Sequence, residues 1–409
     1  MPSRIRNKII FLTCLLFFVA GGFLVYRYWV MQRPFAVILF VSENFTPSTL
    51  SSARLFAGGA DHRFGMESLP HMALASPRAR DYAVPDVAAA ASALATGQLV
   101  NRGSLSVTPE GQTLETLIDQ ARRAGRATGL VSNTPLTEPA TAAFYAAGFD
   151  PANADALAVH LLEKAPLDLV LGGGGAQLVP AEQGGTRLDG RDLLLEARQR
   201  GYDIVRTREE LDSTPGWRSP QVFGIFAEGD LAFAEDASRY PSQPNLSDLV
   251  RRAIELLQFN NRGYFLVVNA GLAGRAAQVG RGESLLREIA ALDEAVETAR
   301  KFAGEKALIV VTGLVNTGGL QLNAFSFAPD RGIAVVSPSA AGVPALSWST
   351  GVAPKSDSSV LQGVATLTER PLPTADDVLT LGSSLGSGRQ GMRLFGGLES
   401  WHAYLTDRL

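Results

Sequence analysis

The chain has 409 residues, of which 46% are hydrophobic and 19% charged, and its formal net charge at pH 7 is −3. This length suits one large α/β domain or two smaller domains. The chain has no basic stripe interleaved with aromatic residues, so no nucleic acid partner is expected. A single cysteine, Cys14, excludes disulfides, cysteine catalysis and cysteine metal sites from the body of the protein.

The N-terminal segment has the features of a membrane anchor. Residues Ile9 to Tyr26 are apolar and uncharged, and three basic residues precede them. As a helix this segment would be about 27 Å long, close to the hydrocarbon thickness of a bilayer. The basic flank favours an N-terminus in the cytoplasm. We therefore expect a single-pass anchor over residues 1–33 and a body, residues 34–409, in the periplasm or outside the cell.

Two other interpretations of this segment stay open. Ala20-Gly21-Gly22 has the small residues of a signal-peptide cleavage site. However, apolar and aromatic residues continue from Phe23 to Trp29, as they would at a membrane interface. Lipidation of Cys14 is disfavoured, because Phe11 and Thr13 are poor residues to precede a lipidated cysteine. We expect the segment to be retained as an anchor.

The body alternates apolar runs with amphipathic helices. Continuously apolar strands are buried on both faces, which is typical of a mostly parallel sheet with helices on each side. The sequence therefore predicts one doubly wound α/β domain. The predicted strands cover residues 35–42, 127–132, 167–172, 202–205, 222–227, 264–269, 307–313 and 332–337.

Two of the intervening helices are well marked. Apolar residues from Glu283 to Phe302 fall on one stripe, as on a helix that packs against a sheet. A second helix is predicted from Ser247 to Phe259, with Asn245 or Ser247 as its N-cap. The segment 337–359 is rich in Gly, Ser and Pro, and predicts extended connections at the edge of the sheet.

The stretch VPDVAAAASALATG, residues 84–97, predicts a short strand, a turn at Pro85-Asp86 and a helix of small side chains. Such a helix can pack closely on a sheet, and its first backbone N–H groups form a ready anion site. Ligands of doubly wound folds bind beyond the carboxyl ends of the strands. An enzyme with this geometry would place a nucleophile at the first helical position, where this chain has Val87.

The order and spacing of the motifs at the strand ends resemble the alkaline phosphatase family over residues 35–409. The motifs that carry this resemblance are ILFVSENFTPSTLSSARLFAGG, PDVAAAASALATG, TAAFYA, LDLVLGGGG, RGYFLVVN, LDEAVETARKFA and LIVVTG. The resemblance implies an alkaline-phosphatase-like fold. It also implies a site in which two zinc ions and one magnesium ion, a serine nucleophile and an arginine act on a phosphate monoester.

Carried over position by position, the resemblance predicts a degenerate site. The nucleophile position falls on Val87 and the phosphate-binding arginine near Pro151. Among the metal positions only Glu43 and Glu138 keep a carboxylate, and Thr141 could replace Ala140 only by a one-residue slip. The predicted metal positions are Glu43, Glu138, Ala140, Asn269, Gly274, Gln278, Leu314, Val315 and Pro373.

From these positions we expect no intact catalytic or metal residues and no cofactor. One weak Mg²⁺ or Ca²⁺ site stays open, since such ions need only oxygen ligands. If the fold is retained, Glu43, Asp86 and Glu138 would converge there as a residual acidic site. The alternative role for Asp86 is to cap the helix that begins at Val87.

Other candidate motifs are weaker. The four histidines, at 62, 71, 160 and 402, fall at no family ligand position and are expected on the surface or in structural roles. His160 and Glu163 share a helix face without a third ligand. The loop LGGGG, residues 171–175, lacks the remainder of a nucleotide-binding motif. Gly382-Ser383-Ser384-Leu385-Gly386 fits a serine elbow, but the chain after it is too rich in glycine for the helix that an elbow needs.

The sequence therefore predicts a membrane-anchored alkaline phosphatase homologue that has lost its catalytic groups and acts as a binding or assembly protein. The alternative is a divergent metal-dependent hydrolase of phosphate or sulfate esters. A homodimer, or a heterodimer with an active relative, is the partner that the resemblance implies.

Overall fold

The computed structural model describes residues 3–25, 36–165, 167–216, 221–323, 346–352, 362–383 and 395–409. Contacts divide the chain into two units, Met1–Pro34 and Phe35–Leu409. The first unit contains helix α1, Ser3–Val25, whose apolar side chains from Phe11 to Val19 are exposed. Within the described residues, no helix meets the combination of length and apolarity required to span a bilayer. Residues 26–33 of the predicted anchor lie outside the described part.

The strands of the second unit include those predicted between residues 35 and 313. The additional strands have two to six residues each. The described strands are β1 Ala36–Ser42, β2 His71–Ser76, β3 Ala127–Pro135, β4 Leu169–Gly173, β5 Asp203–Val205, β6 Val222–Ile225, β7 Tyr264–Asn269, β8 Ala307–Gly313, β9 Asn316–Thr317, β10 Leu320–Leu322, β11 Leu346–Gly351, β12 Gln362–Leu367, β13 Pro373–Thr374, β14 Val378–Gly382 and β15 Phe395–Gly397.

Helices connect these strands. The short 3₁₀ segments are Gly65–Ser68, Gly175–Leu178, Ala181–Gln183 and Ala234–Arg239. The described α-helices of the second unit are α2 Pro47–Gly58, α3 Val87–Thr96, α4 Leu117–Arg123, α5 Pro139–Ala142, α6 Ala154–Glu163, α7 Leu193–Gln199, α8 Arg208–Ser213, α9 Leu246–Leu257, α10 Leu272–Gln278, α11 Gly282–Ala303 and α12 Leu398–Thr406.

The central sheet has ten strands in the order β15-β2-β14-β8-β1-β7-β3-β4-β6-β5. The seven strands from β8 to β5 pair in parallel, and β14 joins β8 in the antiparallel sense. Parallel strands need crossover connections, which the helices supply. The prediction of a mostly parallel sheet flanked by helices is confirmed.

Both faces of the sheet are covered, as the continuously apolar strands require. Along β1, Ile38 and Phe40 belong to one core cluster together with residues of α9 and α11. The alternate residues Val37 and Leu39 belong to the other, together with residues of α3 and α12. This alternation follows from the two-residue period of a strand. The sheet therefore forms the middle layer of a three-layer domain.

The structure corrects some predicted boundaries. Helix α9 begins at Leu246, and its N-cap is Asn245 rather than Ser247. Val84 lies in an irregular segment rather than a short strand. The described part of segment 337–359 includes strand β11, which belongs to a separate small sheet β10-β11-β12 instead of the edge of the main sheet. The predicted strand 332–337 lies outside the described residues.

Candidate functional site

A pocket of about 250 Å³ opens at the carboxyl ends of β1, β3 and β7, where doubly wound folds bind ligands. We call it the carboxyl-edge pocket. It brings together eight of the predicted site positions with several residues that the sequence did not single out. The lining residues are Glu43, Asp86, Val87, Ala88, Thr134, Glu138, Pro139, Ala140, Pro151, Asn269, Gly271, Arg275 and Gln278.

Val87 is the first residue of α3, as predicted, and its side chain lines the pocket. Asp86 is the N-cap: one carboxylate oxygen accepts the backbone N–H of Ala89 at 2.8 Å, and the other accepts that of Gly103 at 2.6 Å. These bonds engage both oxygens of Asp86. Asp86 therefore fixes the start of α3, and its side chain lines the pocket together with Glu43 and Glu138.

Glu43 follows β1 and is 8% exposed. Burial raises the pKa of its carboxyl to about 7, and the charge of the nearby Glu138 adds to this effect. Arg275 and a hydrogen bond from Gln278 lower the pKa, but by less. Among the described residues its Oε2 atom has no hydrogen-bond partner. Near neutral pH this carboxyl group is therefore only partly ionised.

Gly274 makes room for the Glu43 side chain. A Cβ atom built at residue 274 would lie 2.5 Å from the Glu43 carboxyl carbon, far inside van der Waals contact. Any side chain at 274 would thus displace Glu43. Gly274 and Glu43, two of the predicted metal positions, therefore fit each other sterically.

Arg275 lines the pocket and was not among the predicted positions. Its Nη2 pairs with Glu138, its Nε donates to Asp230 at 3.2 Å, and its Nη1 donates to Gln278 Oε1 at 3.3 Å. Burial is the largest single effect and lowers the pKa of the Arg275 guanidinium, but the charges and hydrogen bonds of Glu138 and Asp230 together raise that pKa above its ordinary value. Its position on α10, between Gly274 and Gln278, was the available signal.

Asn269 ends β7 at the floor of the pocket and is 1% exposed. Its amide nitrogen donates to Ser132 Oγ at 3.1 Å and to Thr134 Oγ1 at 3.0 Å. Its Oδ1 atom has no partner within the described residues. Buried polar atoms are normally paired, so Asn269 Oδ1 and Glu43 Oε2 are two acceptors available to an occupant.

The remaining predicted positions do not supply ligands to this pocket. Leu314 and Val315 follow β8 and are completely buried in the apolar core. Pro373 lies in the short strand β13, paired with Thr317, and is outside the lining. Thr141 is buried, and its hydroxyl donates to the backbone carbonyls of Leu136 and Glu138, each at 2.8 Å. Thr141 is therefore already hydrogen-bonded in the helix start, and the residue that lines the pocket is Ala140.

The four histidines lie outside the pocket lining. His160 contacts the Tyr145 carbonyl oxygen at 2.9 Å, and burial lowers its pKa, whereas Glu163 pairs with Arg191. His402 contacts Gln120 at 3.1 Å. The described residues contain no group of three His, Cys, Asp or Glu side chains placed to hold a metal ion.

In the part of the chain that the structure describes, the residues of the other two motifs are bonded to the fold and not directed at a ligand. In the glycine loop, the N–H groups of Gly174, Gly175 and Ala176 donate to backbone carbonyls of residues 227–229, so they do not face a phosphate. Gly382 lies on β14, and Ser383 Oγ donates to the Ala307 carbonyl at the opposite edge of the sheet from the pocket. Residues 384–386 of the predicted elbow lie outside the described part.

Solved structures of alkaline phosphatases share this fold. The Thermus thermophilus alkaline phosphatase superposes with a TM-score of 0.74 over 92% of this chain and 92% of that chain, at 22% identity. A mutant of the TAB5 alkaline phosphatase with Mg bound in its M3 site gives a TM-score of 0.70 over 92% of this chain and 98% of that chain, at 18% identity. Identities this low establish the fold alone.

The expectation of no cofactor is wrong, because the TAB5 protein of the same fold binds Mg. The residues of this pocket fit such an ion only in part. Glu43 and Asn269 present two buried, unpartnered oxygens, the atom type that Mg²⁺ prefers. The described lining contains no histidine or cysteine, which zinc sites usually use. The described lining thus supplies two oxygen ligands that suit a magnesium ion and none of the histidine or cysteine ligands that a zinc pair usually uses.

Sequence comparisons agree with the structural ones. The tissue-nonspecific alkaline phosphatase of Gallus gallus is 30% identical over 331 residues, covering 68% of this chain and 62% of that protein. The chain spans 62% of the length of that protein, 54% of Bacillus subtilis alkaline phosphatase 4 and 55% of the repressible alkaline phosphatase of Saccharomyces cerevisiae. The family model described as alkaline phosphatase matches residues 36–333, which is most of the chain. The chain therefore belongs to the alkaline phosphatase family.

Proposed function

We propose that this chain is a non-catalytic member of the family, which binds a ligand or partner instead of hydrolysing a phosphate monoester. The observation that carries the proposal is Val87, the first residue of α3, in the lining of the carboxyl-edge pocket. The resemblance puts the nucleophile at this position. A valine side chain has no lone pair and forms no covalent intermediate with phosphorus.

The charges of the pocket support the same proposal. Its described lining has three carboxyl groups, on Glu43, Asp86 and Glu138, and one cation, on Arg275. All three nitrogens of the Arg275 guanidinium already have partners. A guanidinium binds phosphate best through a free pair of parallel N–H groups. This arrangement disfavours a phosphate dianion.

A magnesium ion in this pocket would be held by Glu43 and Asn269, with water completing its coordination. When bound, it would supply positive charge next to Glu43 and polarise an oxygen atom of a ligand. The protein itself positions these two oxygens at the ends of β1 and β7, and Gly274 leaves the space that Glu43 needs.

A divergent ester hydrolase is the second candidate, and Glu43 favours it. A buried carboxyl group with a pKa of about 7, in a pocket, has the properties of a general base. In that case Glu43 would remove a proton from water, and a phosphate or sulfate ester would be the substrate. This candidate predicts activity that depends on Glu43 and on a divalent ion.

The two candidates are separated by hydrolysis assays on an aryl phosphate and an aryl sulfate, with Mg²⁺, with Zn²⁺ and with EDTA. We expect no turnover above background for the wild type or for Val87→Ser, because an unassisted serine hydroxyl stays protonated and is a weak nucleophile. Val87→Ala is the matched control for the change in helix packing. Turnover that EDTA abolishes, in the wild type or in Val87→Ser, would replace the non-catalytic proposal by the hydrolase.

We also propose that residues 9–26 anchor the protein in a membrane, with the body in the periplasm or outside the cell. The exposed apolar side chains of α1, among them Phe17 and Phe18, support this location because water solvates them poorly. Membrane fractionation tests this location.

We further propose that the chain forms a homodimer or a heterodimer with an active relative. Sedimentation of the detergent-purified chain tests this proposal.

A further inference from the structure

The chain between β6 and α9 crosses α11 without burying a side chain of its own. We call residues 232–243 the β6–α9 segment. All twelve of these residues are described by the structure, and none of them is buried, although Phe233 packs partly against the core. Segments with few buried apolar contacts open locally at a small part of the free energy of global unfolding. The β6–α9 segment therefore depends on its polar contacts to stay closed.

Its ion pairs with α11 are partly exposed. Glu235 pairs with Arg281, next to the start of α11, and lies 3.5 Å from Arg287. It also accepts a hydrogen bond from Ser284 Oγ at 2.8 Å. The side chains of Arg281 and Arg287 are 48% and 42% exposed. Ion pairs so accessible to water contribute little to stability, so they hold the segment only weakly.

A buried acid of α11 accepts the backbone of the segment. The N–H of Ala234 donates to Glu288 Oε1 at 2.7 Å, and Glu288 is 5% exposed. Burial raises the pKa of Glu288 to about 7. The hydrogen bond from Ala234 lowers this pKa, but by less, and the charge of Glu235 raises it further. Ionisation of Glu288 thus places a second negative charge beneath the segment.

The other elements packed on α11 do not neutralise this charge. Strands β1 and β8 contain no charged residue. The charged side chains of α2, α9, α10 and the 3₁₀ segment Gly65–Ser68 include four ion pairs that do not involve Glu288. These pairs are Arg54–Glu67, Arg208–Asp248, Arg252–Glu255 and Arg275–Glu138.

The segment also covers a cavity of about 290 Å³ between itself and the helices α2, α9 and α11. The segment contributes Ala234, Glu235 and Ala237 to the lining. The floor under it is largely apolar, so opening of the segment would expose apolar surface of the helices. The apolar floor residues of α2 and α11 are Phe56, Ala57, Ala290 and Ala291.

We propose that the β6–α9 segment is a pH-sensitive flap, which opens over this cavity when Glu288 loses its proton. In the closed flap an ionised Glu288 would be buried next to Glu235, whereas in the open flap water solvates it. The closed state is therefore fully stable below pH 4.5, the ordinary pKa of glutamate, and loses stability as pH rises through 7. The inference goes beyond the proposed function and does not depend on it.

Hydrogen exchange of the full chain in detergent, measured by mass spectrometry from pH 6 to pH 8, tests the flap. The amides of Ala232, Ala234 and Gln243 are hydrogen-bonded and report on the segment. Measured rates are divided by those of unstructured peptides, because exchange itself accelerates with pH. The protection of the segment should fall by about tenfold over this range. Strand β7, which reports global unfolding, should stay more protected at every pH.

Two substitutions of Glu288 separate its charge from its hydrogen bond. Glu288→Gln keeps an acceptor for Ala234 but cannot ionise, so the protection of the segment should not change with pH. Glu288→Leu loses the acceptor as well, and should be less protected than Glu288→Gln but equally insensitive to pH. It also provides the test if Glu288→Gln does not fold.

Asp293→Asn is the matched control on the same helix. The Asp293 carboxylate also accepts backbone N–H groups, from Gly65 at 3.1 Å and Met66 at 2.7 Å, but these belong to a different segment. Asp293→Asn should therefore keep the wild-type fall in protection of residues 232–243.

The proposal is overturned if protection of the segment in the wild type does not fall with pH, or if a non-ionisable residue at 288 leaves the fall unchanged. It is equally overturned if β7 loses protection together with the segment, since the change would then be global unfolding. None of these measurements depends on hydrolysis, so failure of the non-catalytic proposal would be seen separately, in the ester assays.

Discussion

Single residues account for most of the chemistry of the carboxyl-edge pocket. Glu43 is an acidic residue with few partners: Gly274 packs against it, and the neighbouring Arg275 is paired with Glu138. Burial without a full set of partners makes the ionised form of Glu43 costly. The pocket thus holds a carboxyl group whose charge depends on pH in the physiological range.

Glu43→Gln should make the protein more stable at pH 8. In the folded state the pKa of Glu43 is about 7, against 4.5 for an unperturbed glutamate. Between these two pH values the folded protein therefore binds more protons than the unfolded chain. The free energy of unfolding of the wild type must therefore fall as pH rises from 4.5 through 7. A shift of this size corresponds to about 3 kcal/mol above pH 7, and far less at pH 5.

Urea unfolding of the wild type and Glu43→Gln in EDTA, from pH 5 to pH 8.5, measures this difference. The advantage of Glu43→Gln should grow with pH. Glu182→Gln, at an exposed glutamate, is the control and should leave the pH dependence unchanged. A gap between Glu43→Gln and the wild type that is the same at every pH would show that Glu43 is not an uncompensated buried carboxyl group.

At the level of elements, α3 determines the front of the pocket. Its alanines pack among the buried residues of one face of the sheet, and α12 packs against it. At its C-terminus, Gly97 has a positive φ of 73° and lies against the ring of His402, which leaves no room for a side chain. At its N-terminus the two hydrogen bonds of Asp86 hold Val87 in place. The helix start is thus fixed by a structural carboxylate.

Asp86→Ala should lower the free energy of unfolding by about 1–2 kcal/mol, because α3 loses its N-cap and Gly103 loses its acceptor. Asp86→Asn keeps one acceptor oxygen, so its free energy of unfolding should lie between those of Asp86→Ala and the wild type. Asn153→Ala removes a cap with a single hydrogen bond, to Ala156 at 3.0 Å on α6, and should cost less than Asp86→Ala. Equilibrium unfolding in urea gives the order. Equal losses at the two caps would contradict the double role of Asp86.

For the whole molecule, the fold could be predicted further than the site. The strands β1, β7 and β8 are continuously apolar, and their predicted bounds agree with the structure to within one residue because burial on both faces leaves a clear pattern. Strand β2 lies between β15 and β14, but only Ala73 and Ala75 of its six residues are buried, so it lacks a continuous apolar run and was missed for that reason.

The sequence could predict which positions line the pocket, but not which side chains form ion pairs there. The residues after β1 and β7, and the start of α3, were expected together and do line one pocket. Arg275 was missed because its partners, Glu138 and Asp230, are 137 and 45 residues away in sequence. Contacts over such separations depend on the order of strands in the sheet, which local patterns do not specify.

The location of the protein is a property of the whole chain, and residues 1–33 should decide it. If residues 9–26 anchor the chain as we propose, the full chain should stay in the membrane fraction after washing at alkaline pH, because the hydrophobic effect rather than charge would hold an apolar segment of about 27 Å. Deletion of residues 1–33 should release a folded body, since the sheet and both its core clusters belong to the unit Phe35–Leu409.

A variant that replaces Phe17 and Phe18 by aspartate should also be released, because each charge in the bilayer costs about 2.5–3.5 kcal/mol. Protease added to intact cells or spheroplasts should digest the body if it lies outside the cytoplasm. A mature N-terminus near Phe23 would instead show that the segment is a cleaved signal peptide.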